Sequence, residues 1–145
     1  MQADHPLVQR TQEWFDRVWG RKELAAVDEM CTPDVKVHGL GGPMVGVALY
    51  RDHVVAPFYA AFAQFKVDLL DAFVCDDLVS MRVRYTITRH CGEQVVIEGA
   101  GFVRFEDNRL AEAWNYMDFL SLLVQTGDVD ADVLPTMLGR ETAQA

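Results

Sequence analysis

Basic side chains are scarce in this chain. Across 145 residues, 13 Lys and Arg stand against 22 Asp and Glu, a formal charge of −9 with a sequence pI near 4.7. A surface of that sign repels phosphate backbones and anionic lipid, so neither nucleic acid nor a membrane is expected as a partner. Long apolar runs are missing too: none approaches the roughly 20 residues that a bilayer span requires. The first five residues lack the basic and apolar regions of a secretory signal, which points to a cytoplasmic protein. Cysteine is limited to Cys31, Cys75 and Cys91, an odd set without C-x-x-C spacing that suggests neither a disulfide framework nor a zinc knuckle. His5, His38, His53 and His90 are scattered, so no metal is expected. No phosphate loop, dinucleotide fingerprint or nucleophile elbow occurs, since Gly39, Gly41 and Gly42 run into Pro43 without a strand-to-helix context, and no cofactor is expected.

What is present is the composition of one ordinary globular domain, 50% hydrophobic and 24% charged. Asp4 and Pro6 suit a helix start, and Val8, Thr11, Phe15, Val18 and Trp19 recur at helical spacing until Gly20. A second short helix carries Leu24, Val27, Met30 and Cys31 and stops before Pro33. Residues 35–38 read as a brief strand followed by a glycine loop. From about residue 47 to 64 the period is helical again, with Leu49, His53, Phe58 and Phe62 on the inner face and a kink expected at Pro57. Beyond Phe65 the period becomes two: Val79, Met81, Val83, Tyr85 and Ile87 share a face, as do Val95, Ile97, Gly99, Gly101, Val103 and Phe105. Hairpin signals fall at Asp76-Asp77, Cys91-Gly92 and Asp107-Asn108. Simple alternation places Leu110, Glu112, Trp114, Tyr116 and Asp118 together on the last strand. A two-residue turn at Asp107-Asn108 would set Gly99 opposite Tyr116 and Gly101 opposite Trp114, whereas a bulged turn would shift that register by one. Asp118 and Gly127 bracket a short helix, and residues 128–145 form an acidic tail with one turn near residues 134–138. Helices are segregated from strands, so the class is α+β, with one domain over residues 1–127.

Several segments resemble a known family. Asp34-Val35-Lys36-Val37-His38, Tyr50-Arg51-Asp52-His53 and Ala61-Phe62-Ala63-Gln64-Phe65-Lys66-Val67 are similar to SnoaL-like polyketide cyclases of the NTF2-like superfamily. The strongest match runs over residues 104–118, with its Arg-Phe-Glu-Asp-Asn-Arg-Leu start, and continues through Leu122-Leu123-Val124-Gln125-Thr126-Gly127. Asn108 stands where the family usually has glycine, and Ala63-Gln64 replaces its usual proline-aspartate. The resemblance implies an NTF2-like cone: a curved antiparallel sheet packed against N-terminal helices around an internal cavity. It also implies acid/base chemistry at pocket-lining side chains and a homodimer formed through the outer sheet face. Val96, Ala100, Phe102, Ala111, Ala113 and Met117 are expected to supply the apolar part of that face.

The candidate catalytic residues are Asp118 and His38. A carboxylate beside Trp114 and Tyr116 would lose solvation and gain a pKa suited to proton transfer, and the family's acid/base aspartate maps here. The competing reading is that Asp118 caps the following helix. His38 titrates nearest neutrality; the resemblance turns it inward, while alternation with Val35 and Val37 turns it out. Tyr50 and His53, one helical turn apart, can present two polar tips together. With Trp14, Phe58, Phe62, Tyr85, Trp114 and Tyr116 they form the expected binding surface for a hydrophobic small-molecule substrate. The implied reaction is cofactor-independent ring closure of a polyketide-like carbonyl compound by intramolecular aldol chemistry. An isomerase or epoxide hydrolase in the same pocket, or a non-catalytic binding or accessory domain, are the alternatives.

Overall fold

Four long strands, β3 (Gln64–Cys75), β4 (Leu78–Thr88), β5 (Gln94–Glu106) and β6 (Arg109–Met117), pair antiparallel in sequence, as seen in a computed structural model describing all 145 residues. β1 (Cys31–His38) starts earlier than its alternation suggests and runs parallel to β6. A two-residue strand, β2 (Met44–Val45), forms from the stretch expected to be loop and pairs antiparallel with β1 at the edge. The resulting curved, unclosed sheet has the order β2, β1, β6, β5, β4, β3.

The helices lie against one face of this sheet. In α1 (Pro6–Trp14) the first turn is capped by His5, whose Nδ1 accepts from the Leu7 amide at 3.2 Å, and not by Asp4. The helix continues into a π-helical turn, Phe15–Gly20. Because the wider turn advances fewer degrees per residue, adjacent Trp14 and Phe15 are both buried. α2 (Leu24–Met30) follows, burying Ala26, Val27 and Met30. The long helix expected around Pro57 is broken as its chemistry requires: α3 (Val47–Tyr50) and α4 (Ala56–Ala61) are separated by a π segment, Arg51–Val55. Pro57 has no amide hydrogen to donate, and its ring crowds the preceding turn, which opens. Leu49, expected inside, is 42% exposed, while Tyr50 beside it is buried.

Alternation holds along β4 and β5, whose Val79, Met81, Val83, Ile87, Val95, Ile97, Val103 and Phe105 are all buried. Each such side chain contributes about 1.5–3 kcal/mol to folding. It fails in β3 and β6, because each carries a bulge. In β3 the register with β4 slips between Leu69 and Asp71, so Val67 points in, Ala72 is buried and Phe73 emerges on the outer face, 56% exposed. In β6 the slip lies between the Arg104 and Phe105 pairings, leaving Ala111 as the extra residue. The turn itself is a tight two-residue one, with Asp107 and Asn108 both at positive φ (48° and 62°). The bulge then places Gly99 opposite Met117, Gly101 opposite Asn115, Ala100 opposite Tyr116 and Phe102 opposite Trp114. Neither register offered by the turn alone is the one formed.

α5 (Phe119–Thr126) ends at Gly127 in the left-handed conformation, φ 81°, and sends Leu122 into a second apolar cluster with Phe65, Ile87, Val95 and Ile97. The acidic tail holds a full helix, α6 (Val133–Gln144), longer than the single turn its sequence suggests, with no buried residue. No helix is long and apolar enough to cross a membrane.

Candidate functional site

Between helices and sheet lies an apolar cavity. Trp14, Phe15 and Trp19 wall it from the N-terminal helix, Tyr50, Val54 and Phe58 from the broken helix, and Phe65, Tyr85, Asn115 and Met117 from the sheet, with Leu40 reaching in from the β1–β2 loop. The Trp14 and Tyr50 rings stack with centroids 6.3 Å apart and planes 18° from parallel.

Polar residues in this lining are Tyr50, Tyr85 and Asn115, beside the indoles of Trp14 and Trp19. Burial pushes the Tyr85 hydroxyl up to about 12 and raises that of Tyr50 further, and no hydrogen bond offsets either effect. Both therefore stay protonated, as neutral donors, throughout the physiological range. A buried donor without a protein partner gains most from a ligand that supplies an acceptor. Gly101, directly across from Asn115, lets the strands bend here: a Cβ would sit 2.8 Å from the Trp114 carbonyl oxygen. At Gly99 it would sit 2.7 Å from the Tyr116 carbonyl oxygen and 3.2 Å from the Tyr85 ring.

A second, more open concavity adjoins the first. It is lined by Gly39, Gly41, His53, Pro57 and Phe119, and it shares Leu40, Val54 and Phe58 with the inner cavity. His53 is the one imidazole or carboxylate in either lining. No three His, Cys, Asp or Glu side chains converge anywhere in the chain as metal ligands would.

The structure divides the residues that the sequence singles out. Trp14, Tyr50, Phe58 and Tyr85 line the inner cavity, whereas His53, expected on the inner face of its helix, is exposed and lines only the outer concavity. Phe62 stands behind that wall, 5.5 Å from Phe65 and 6.2 Å from Phe58 between ring centroids. Trp114 and Tyr116 are on the outer face, because the bulge at Ala111 reverses the alternation and brings Asn115 and Met117 inside in their place. Asp118 is exposed and lines neither concavity; its Oδ1 accepts from the Ser121 amide at 2.9 Å, capping α5. His38 likewise faces out. Its ring lies on Trp114, its Nε2 is 3.0 Å from Glu112 Oε1, and Arg104 bonds the other oxygen of that carboxylate at 3.1 Å while covering the Trp114 ring. Ala113 and Met117, expected on the outer face, point inward. Asn115, Met117 and Leu40 escaped the sequence reading, since a bulge has no compositional signature and a lone leucine in a glycine loop reads as connection.

A family model described as a SnoaL-like domain matches residues 11–113. No functionally curated protein matches the chain in sequence. Among solved structures, a provisionally assigned polyketide cyclase from Acidithiobacillus ferrooxidans is 25% identical, with a TM-score of 0.73 covering 86% of this chain and 96% of that one. A provisionally assigned SnoaL-like polyketide cyclase from Jannaschia sp. superposes with a TM-score of 0.72 at 18% identity, over 86% of this chain and 96% of its own. IdmH from Streptomyces antibioticus, also provisionally assigned as a polyketide cyclase, does so at 0.73 and 20% identity, over 85% and 99%. With residues 11–113 matched, more than half of its length, the chain belongs to the SnoaL-like domain family of the NTF2-like fold.

Proposed function

We propose that the protein is a cofactor-independent cyclase acting on a flat, uncharged, polyketide-like carbonyl compound. The observation that carries this reading is an aromatic-walled cavity lined by Tyr50, Tyr85 and Asn115 beside a concavity with one imidazole, His53, in its wall. An apolar wall selects an uncharged ring system, and Tyr50, Tyr85 and Asn115 donate to its oxygens. In an aldol closure, neutral His53 takes the proton alpha to one carbonyl. The resulting enolate carbon forms a bond to a second carbonyl carbon, whose oxygen becomes an alkoxide, and the imidazolium returns the proton to that oxygen. The donors act where negative charge develops, in a site poor in water, where such interactions are strongest. Asp118, tied to α5 and facing solvent, has no part in this reading.

The test does not require the natural substrate. The methyl protons of 2-acetylnaphthalene lie alpha to a carbonyl, and their exchange with deuterated water reports proton abstraction directly. The protein should accelerate that exchange, and His53→Gln should remove the acceleration by at least roughly 100-fold while retaining ligand affinity. A second reading, a non-catalytic binding domain, is favoured by the absence of any acid or base from the inner lining. Tight binding of the probe without accelerated exchange would select it. The reading includes a homodimer through the outer face, where Val96, Phe102 and Tyr116 are 46%, 40% and 56% exposed.

A further inference from the structure

The end of β1 is held by few backbone pairs. Beyond the irregularity between Cys31 and Lys36 it keeps Lys36 opposite Glu112, Val37 opposite Ala113 and His38 opposite Trp114, and on its other side β2 pairs only with Lys36 and Val37. Val37 is anchored by burial, but His38 has no partner on the β2 side and runs straight into the glycine loop. What holds it is its side chain. On the outer face the imidazole stacks on Trp114, with centroids 5.2 Å apart and planes 9° from parallel, and its Nε2 meets Glu112 Oε1 at 3.0 Å. Arg104 fixes that carboxylate from β5, donating to Oε2 at 3.1 Å. One residue further along both strands, Gly39 lies against Asn115 backbone to backbone, and Leu40 and Asn115 both belong to the cavity wall. Only Gly39 separates His38 from Leu40, and Asn115 follows Trp114 directly.

We propose that His38 is a positioning residue of the cavity, acting from the opposite side of the sheet: its clasp on Trp114 and Glu112 pins the end of β1 to β6 and so sets where Leu40 and Asn115 stand in the wall. This inference rests on the cavity being a small-molecule site, as proposed above. The clasp also makes the site sensitive to acidity, because histidine is the side chain that changes charge between about pH 5 and pH 8. The charged groups around this imidazole are Glu112 on β6, Arg104 on β5 and Lys36 on its own strand, with Asp77 3.8 Å beyond Arg104, while β2 brings only Met44 and Val45. Arg104 and Lys36 oppose a charge on the ring. Glu112 is in direct contact with it, however, and the indole face of Trp114 favours a cation. Protonation therefore tightens the clasp, and the tighter clasp holds the wall in the arrangement that receives the ligand.

The experiment has two arms, both with 2-acetylnaphthalene as the probe. Calorimetry measures its affinity at about pH 5.5 and about pH 8 in the wild type, His38→Gln and Glu112→Gln. NMR follows the His38 ring protons through a pH titration of the wild type, free and saturated with the probe. Wild-type affinity should rise about threefold from the higher pH to the lower, and both variants should lose that rise. By reciprocity the probe should move the His38 midpoint upward by about half a pH unit. A merely structural cluster would let the variants lose stability and affinity together, yet leave that wild-type midpoint unmoved by a neutral molecule on the other side of the sheet. The NMR arm needs no variant, so misfolding cannot produce its result. If the probe does not bind the wild type, the small-molecule reading falls and this inference with it. If it binds while the His38 midpoint stays in place, or the variants keep the pH dependence, the positioning role alone is overturned.

Discussion

Gly39 and Asn115 meet backbone to backbone: a Cβ added to Gly39 would lie 1.8 Å from the Asn115 carbonyl oxygen, and Gly39 holds φ at +92°. This contact seats the start of the glycine loop on the strand that supplies the cavity's amide. Gly39→Ala should cost about 2–4 kcal/mol, from the clash and the strained backbone together. Urea unfolding checks it; an unchanged midpoint would show that the loop is not seated there.

The place of Asp118 separates two accounts of the chemistry. Asp118→Asn should leave both stability and proton abstraction from 2-acetylnaphthalene near wild type, because asparagine caps a helix as well as aspartate. Asp118→Ala should lose about 1 kcal/mol of stability and still abstract protons. A drop of roughly 100-fold in exchange rate for the asparagine variant would make the carboxylate the acid/base group after all.

How much was legible in the sequence follows from where the period of two is kept. β4 and β5 keep it for their whole length, and their buried faces could be read directly. β3 and β6 each insert one residue, at Leu70 and Ala111, and every side chain beyond the insertion changes face. That single residue exchanged Trp114 and Tyr116 for Asn115 and Met117 in the cavity. It also removed the aromatic neighbours that made Asp118 look like a desolvated acid. Tyr85 was found because alternation is unbroken along β4, whereas the π segment at Arg51–Val55 interrupts the helical period before Phe58, and Leu49, read on the same face, is exposed. For His38 the resemblance pointed inward and the alternation with Val35 and Val37 outward; the stacking on Trp114 agrees with the alternation.

Alkaline stability has a calculable direction. Burial pushes the Cys31 thiol and the Tyr85 hydroxyl up to about 12, and Tyr50 higher still. In the unfolded chain these groups lose protons from about pH 8.5 for the thiol and about pH 10 for the phenols. Above those values the unfolded state binds fewer protons than the folded one, so stability falls as pH rises and is undiminished below them. Urea midpoints should decline from about pH 8.5 toward pH 12, and in Cys31→Ala the decline should begin nearer pH 10. A flat profile to pH 11 in the wild type would contradict this burial.

The outer face should pair two copies. Phe102 and Tyr116 stand exposed beside Val96, flanked by the Arg82–Glu98 and Arg84–Glu98 ion pairs. Light scattering should give a dimer mass at tens of micromolar protein, and Phe102→Glu should give a monomer with ligand affinity retained. A monomer mass for the wild type would remove the dimer from the account.

The most direct test of the cavity is a titration of 2-acetylnaphthalene into the wild type and into Asn115→Leu, which keeps the branched skeleton of the side chain and deletes the amide. Seated as proposed, the carbonyl accepts from Asn115, and the variant should bind about tenfold more weakly. Equal affinity in the two proteins would mean that the ligand does not enter this cavity, and the catalytic reading built on it would fail.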